Sequence, residues 1–391
     1  MLSARRRNLT GRQPTGVTVR GVRVVIAPDS FGGTLSATAA ADAIAEGWLR
    51  ARPDAVISRL PLADGGTGFV DVLHAGLGGI LHEPQVTGPF GEPVRAPWLQ
   101  VGERAYLESA AACGLHHVPR ARRTPDTART VTTRGVGELL RAAREAGCTE
   151  AVIGLGGSAT TDGGAGLLAA LGAVPVDATG TPLPDGGAAL AGCARFEGVP
   201  DVGMALVAAS DVDNPLLGPH GAAAVFGPQK GADPATVEEL DAALAVFADV
   251  LATLGRDVRD EAAAGAAGGL GAALLALGAR VESGAGLVRG LLGLDAALDA
   301  ADVAVTGEGS FDWQSLRGKL ITAVASGAAE RGVPCVVLAG QVTVGRREAA
   351  AAGVDAAYSV SEHAGGVEAS MADPAGTLAA LAAEVAGRWG R

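Results

Sequence analysis

Lysine is nearly absent from this 391-residue chain, which has Lys230 and Lys319 and no other. Acidic residues outnumber basic ones by 42 to 31, and the formal net charge is −11. That balance lacks the basic face expected of a nucleic-acid-binding protein. It leaves room for a phosphorylated ligand, because backbone N–H nests and a few cations suffice to hold one. Cysteine is sparse. Cys113, Cys148, Cys193 and Cys335 are scattered, with no C-x-x-C pair. They read as reduced core thiols and exclude a disulfide framework or a cysteine zinc site. Among six histidines the one close pair is His116-His117, and adjacent residues do not share a helix face. No apolar run reaches membrane-span length without a glycine, proline or charge, so no membrane partner is expected. Residues 1–20 are basic and polar, without the apolar segment of a signal peptide. They read as a disordered extension or an over-called start, and a cytoplasmic location is expected.

What is present is enough apolar content, 48%, for two domains with their own cores. The most distinctive stretch is Ala151–Leu171, AVIGLGGSATTDGGAGLLAAL. It reads as a short strand, a run of small residues with six glycines, and a helix. Unpaired N–H groups before a helix start suit an anion, and Asp162 could hold a cation or accept a proton. A plainer reading makes the same stretch a tight turn with Asp162 as the helix cap. A Walker A loop is excluded, because Gly318-Lys319 has Trp313 where the first glycine belongs. Gly154, Gly156 and Ala159 do satisfy the dinucleotide spacing, with Asp177 near the ribose-binding distance. An NAD(P)-dependent oxidoreductase is therefore a rival reading.

Along the chain, Val22–Ala27 predicts a buried strand, Ser36 caps a helix to about Leu49, and Ala55–Leu60 predicts a second strand. A hairpin is expected over 94–108, turning at Gly102-Glu103. Thr133 is expected to cap a helix through about Ala146, and Asp233-Pro234 to open a long one. Alternation resumes near Gly284, with a strand at Asp302–Thr306 followed by a loop carrying Glu308 and Asp312. The two ends supply too few units alone. The expected fold is therefore α/β: a doubly wound, mostly parallel sheet domain built from both chain ends (21–82 plus 284–391), with a second, mixed-sheet α/β domain (83–283) inserted. Ligands in such sheets bind beyond the carboxyl ends of the strands, which lines up Asp29, Asp64, Glu308 and Asp312 on one rim.

The segments Ala27–Phe31, Ala63–Gly66, Gly135–Glu138, Gly156–Thr160 with Asp162–Gly164, Asp211 with Asn214–Leu216, Phe226–Gly231, Gly265–Gly269, and Thr306–Gly309 with Asp312, Gln314, Gly318 and Lys319 occur in this order. Together they resemble the type I bacterial glycerate kinase family over about residues 22–385. The resemblance implies two α/β domains, an active site in the cleft between them, and ATP- and Mg2+-dependent phosphorylation of D-glycerate, with the 2-phosphate favoured. The family often has Lys at Gly32, Glu at Thr67, Asn at Thr161, Arg at Ser310 and Pro at Ile321. Three of those differences remove charge from the rim.

Phosphoryl transfer needs placement, charge neutralisation and a carboxylate for the attacking hydroxyl. On that basis Asp64, Asp162 and Lys319 are the expected catalytic residues. Asp29, Ser30, Ser158, Thr160 and Gln314 are expected on the substrate, and Gly65, Gly66, Gly156, Gly157, Asn214 and Lys230 on the nucleotide phosphates. Asp211, Glu308 and Asp312 are expected on magnesium. Asp64→Asn and Asp162→Asn are each expected to cut turnover and spare folding. A kinase for a related hydroxy acid and a non-catalytic ligand-binding relative are the alternatives, as a monomer or homodimer.

Overall fold

A computed structural model describes residues 21–313, 315–316 and 319–389. Eleven strands build two sheets: β1 Arg23–Ile26, β2 Val56–Arg59, β3 Ile80–His82, β4 Trp98–Val101, β5 Arg104–Glu108, β6 Glu150–Gly154, β7 Ala205–Ala209, β8 Arg280–Glu282, β9 Val303–Phe311, β10 Cys335–Val342 and β11 Ala356–Ser359. The first sheet runs β11-β10-β9-β1-β2, wholly parallel. Its strands come from both ends of the chain, as expected. The second runs β8-β7-β6-β5-β4-β3, with four parallel strands and then an antiparallel pair of steps. Its strands come from the middle, and β3, at 80–82, belongs to it.

Helices Ala37–Ala51 and Pro374–Trp389 cover one face of the first sheet. Ile44 and Trp48 pack there with Leu378, Leu381 and Val385. Gly47 is required at this crossing, because a Cβ would meet the carbonyl oxygen of Ala379. Ser36 caps the first of these helices, accepting from the Ala39 N–H at 3.1 Å.

Successive side chains of the second sheet point to opposite faces, and both faces are covered. Ala151 and Ile153 face a core with Leu139, Leu167 and Phe247, while Val152 between them faces the other side. On that other side Val152, Val207, Leu99 and Tyr106 pack with Phe69 and Leu73, and the same apolar cluster continues through Val288 to Ala304, Val324 and Val337 of the first unit. One core thus runs between the sheets.

The hairpin turn falls at Gly102-Glu103 as expected, but the strand before it starts at Trp98. Pro93–Arg95 pairs instead with Gln85–Thr87, upstream of Pro97. A second difference matters more. β9 continues to Phe311, because residues 306–311 pair with β10 up to Phe311–Val342. Glu308 therefore stands on a strand and not in a loop.

Candidate active site

The carboxyl ends of both sheets point at one another. Gly65 and Gly66, after β2, lie against Gly154 and Gly156 at the end of β6. A Cβ at Gly156 would sit 2.6 Å from Gly66 Cα. At Gly65, with φ +94°, a Cβ would sit 2.8 Å from the Ala209 carbonyl oxygen at the end of β7. Both positions require glycine, for close approach and at Gly65 also for its backbone angle. Gly157, with φ +65°, is exposed beyond this contact.

Three carboxylates gather on the rim of the first sheet. Asp29 follows β1 and accepts the Ser30 N–H at 2.6 Å. Its pKa is raised to about 7, chiefly by burial and in part by the charges of Asp64 and Glu308, against the hydrogen bonding with Ser30. Asp64 is exposed and accepts the Gly66 N–H at 3.0 Å. Glu308 is half-buried, and burial pushes its pKa up, with the Asp312 charge adding to it and a hydrogen bond to Ser315 opposing. Its Oε1 is buried without a hydrogen-bond partner. Asp312 is joined to Ser315, whose Oγ accepts the Asp312 N–H at 3.0 Å.

Across the cleft, Lys230 is buried, with its Nζ donating to the Thr160 carbonyl at 2.5 Å and to Ser158 Oγ at 3.3 Å. Burial lowers its pKa to about 8. It thus holds the glycine loop from beneath. Ser158 and Thr160 are themselves buried.

Asp162 is fully buried. Its carboxylate accepts from Thr133 N and Oγ1 (both 2.8 Å), Gly164 N and Gly166 N. It stands behind the rim, at the start of the helix Ala165–Ala170. Thr133 likewise bonds Asp162 instead of capping its own helix, Arg134–Glu145. Asp211 accepts from Ser283 Oγ at 2.7 Å and Ala285 N at 2.9 Å, tying it to the helix Gly284–Leu291. Asn214 Nδ2 donates to the His220 carbonyl at 2.8 Å. Lys319 begins the helix Lys319–Ala329; its side chain and Gln314 lie outside the described residues.

The dinucleotide reading is not met. The helix after Gly154, Gly156 and Ala159 starts only at Ala165. Asp177 serves its own turn, accepting from Thr179 N at 2.8 Å and Thr181 N at 2.9 Å.

Glu108 was not among the expected residues. It ends β5, is buried, and accepts the Gly68 N–H at 2.9 Å before the helix Phe69–Leu77. Burial, with a smaller contribution from Asp71, pushes its pKa to about 7 against the bonds from Gly68, Val70 and Phe69. Its place at the end of a hairpin strand was the available signal.

Two cavities open at this rim, and both include Ser30, Thr34 and Leu35. One, of about 520 Å3, lies between the units and holds Thr67, Asp71, Arg95, Glu108 and His116. The other, of about 510 Å3, lies over β9–β11 and holds Gly32, Glu308, Ser310 and Gln341. Among the described residues no three His, Cys, Asp or Glu side chains form a ready metal cage. Magnesium does not need one, since it takes one or two carboxylates and completes its shell with phosphate oxygens and water. The unpartnered Oε1 of Glu308 beside Asp29 and Asp64 fits that requirement.

Two α/β units with facing carboxyl edges, an acidic rim and a glycine loop are features of a small-molecule enzyme. The family model described as the glycerate kinase family matches residues 24–390. A glycerate kinase of Bacillus subtilis is 43% identical over 347 residues, 87% of this chain and 90% of the relative. A glycerate 2-kinase of Escherichia coli K12 is 42% identical over 350 residues, 87% and 90% of the two chains. A crystal structure assigned as a glycerate kinase 2 from Salmonella typhimurium LT2 superposes with a TM-score of 0.79 at 40% identity, covering 94% of this chain and 98% of that one. The chain belongs to the glycerate kinase family and is a kinase.

Proposed function

We propose that the protein phosphorylates D-glycerate with ATP and Mg2+, giving 2-phosphoglycerate, in the cleft between a first domain (21–79 plus 284–391) and an inserted one, whose start moves from the expected 83 to 80 because β3 joins its sheet (80–283). The observation that carries this reading is the meeting of the Asp29–Asp64–Glu308 rim with the glycine loop 156–160 across one junction. Family membership supports the transferred group and the acid.

The residues suggest a division of labour. Asp64 is exposed and orients the attacking hydroxyl. Asp29, with its pKa near 7, is matched to take the proton from that hydroxyl, because a base works best when its pKa lies near the working pH. Glu308 is the carboxylate for magnesium, with Asp312 beside it and Asp211 on the far wall; the ion supplies charge neutralisation on the phosphates. Gly65, Gly66, Gly156 and Gly157 present backbone to phosphate oxygens, and Asn214 keeps its assignment to the nucleotide phosphates. Lys230 fixes Ser158 and Thr160 in the shape the loop needs, and Asp162 is a positioning residue behind it. Ser30 lies between the two cavities and is placed to meet substrate, while Lys319 and Gln314 remain assigned to the transferred phosphate and the acid. Where the family often has Lys and Arg, Gly32 and Ser310 line the cavity over β9–β11. Arg95 is the cation lining the other cavity.

The test is ADP release with Mg-ATP and a panel of short hydroxy acids including both glycerate enantiomers, with the product's phosphate position read by phosphorus NMR. Turnover confined to D-glycerate with a 2-phosphate product is the expected result. Turnover of another acid would reassign the substrate, and ATP binding without turnover would make the protein a ligand-binding relative.

A further inference from the structure

The two cavities at the rim differ in chemistry. The one between the units carries the charged groups Asp71, Arg95 and Glu108. The one over β9–β11 is walled by Phe31, Leu35, Val360, Val367, Met371 and Leu378. Its polar groups are neutral except for one: Thr34, Ser310, Gln341, Ser361 and Ser370 along the walls, with Ser30 and the carboxylate of Glu308 at the inner end. Its 510 Å3 falls within the ~300–1,000 Å3 of small-molecule sites, which combine apolar walls with a few placed polar groups. At its mouth Val367 and Met371, one turn apart on the helix Val367–Ala372, are 45% and 57% exposed. A ligand seated in the cavity would cover this apolar pair. The cavity also borders the point where the strand order reverses, β1 leading to β2 on one side and β9 on the other, the usual place for a ligand in an open parallel sheet.

We propose that this apolar cavity receives the base and ribose of the nucleoside triphosphate, with the phosphates running inward past Glu308 and Ser30 toward the acid in the neighbouring charged cavity. The inference rests on the kinase reading above. A transfer between two substrates needs adjoining spaces that meet at one point, and Ser30, Thr34 and Leu35 are common to both. A flat aromatic base gains from apolar faces; a three-carbon hydroxy acid has no such face, and in the neighbouring cavity Arg95 can meet its carboxylate while the acidic groups can meet its hydroxyls. The two assignments cannot be exchanged without leaving charge against the base and apolar walls around the acid.

The test uses Val367→Asp and Met371→Asp in the full chain, at positions exposed enough for folding to survive, which circular dichroism checks. ATP affinity is read directly by calorimetry, and the KM values for ATP and D-glycerate separately. The expected result is an ATP Kd and KM raised about tenfold or more, with the D-glycerate KM unchanged. An unchanged ATP Kd in both folded variants would overturn the proposal, as would a rise confined to the D-glycerate KM, which would put the acid in this cavity. Wild-type protein that binds ATP but turns over no acid would sink the kinase reading alone, leaving the cavity to be judged by the variants' Kd. Wild-type protein that binds no ATP would overturn both.

Discussion

A buried carboxylate and an exposed one of the same residue type have opposite vulnerabilities. Asp162 accepts bonds from Thr133, Gly164 and Gly166 with no exposure to water. An amide there would set its own donor against theirs. Asp162→Asn is expected to cost about 3 kcal/mol of stability, read as a lower urea midpoint; this replaces the sequence expectation that folding would survive. Asp64→Asn changes an exposed side chain. Turnover should fall about 10²–10⁴-fold, while stability shifts by no more than about 0.5 kcal/mol. Asp29 makes a pH prediction. With its folded pKa raised to about 7, kcat/KM should climb as pH rises through that value and level off above it. The stability consequence has the opposite sense. A carboxyl group whose folded pKa exceeds its unfolded value of about 3.9 favours folding when protonated, so stability is lost as pH rises from about 4 to 7. Denaturation midpoints across that window should fall with pH, and fall less steeply in Asp29→Asn; equal slopes would show that Asp29 titrates elsewhere.

At the scale of elements, the site is a contact between glycine loops. Gly156→Ala would force a Cβ to within 2.6 Å of Gly66 Cα, and backbone cannot yield as a side-chain tip can. The two edges should separate, with KM for both substrates rising together and melting temperature falling; a normal melting temperature with normal kinetics would deny the contact. Much of this was legible in sequence. Apolar runs ending in Asp29 and Asp64 placed both on a rim, because strand ends in parallel sheets face ligands. Ser36 announced its helix by cap chemistry. Glu308 was located on the rim but assigned to a loop, since its strand partner, Ala339, lies too far along the chain for local pattern to reveal. Asp162 read as equally functional and structural for the same reason: its chief partner, Thr133, approaches from another element. Glu108 offered only its place at the end of a hairpin strand, and the apolar cavity walls at Val360–Leu378 were invisible to local pattern, as these residues become neighbours of the site only when the sheets close.

For the molecule as a whole, the shared core decides cooperativity. Val152 and Val207 of the second sheet sit in one apolar cluster with Val288, Val324 and Val337. Calorimetry should record a single unfolding transition, because neither sheet keeps that face covered when the other melts; two resolved transitions would mean the core is divisible. The same architecture has a consequence for biosynthesis. β1 is flanked by β2 and by β9, whose pairing starts at Val303. The second sheet closes within residues 80–282. On the ribosome, then, the inserted unit can be complete while the first emerged strand, RVVI, still has one hydrogen-bonding edge open and most of its sheet unmade. During that interval β1 and β2 are a two-stranded fragment of an unfinished sheet, and an arrest or truncation before β9 would release a chain with a folded middle and an open, apolar edge on β1.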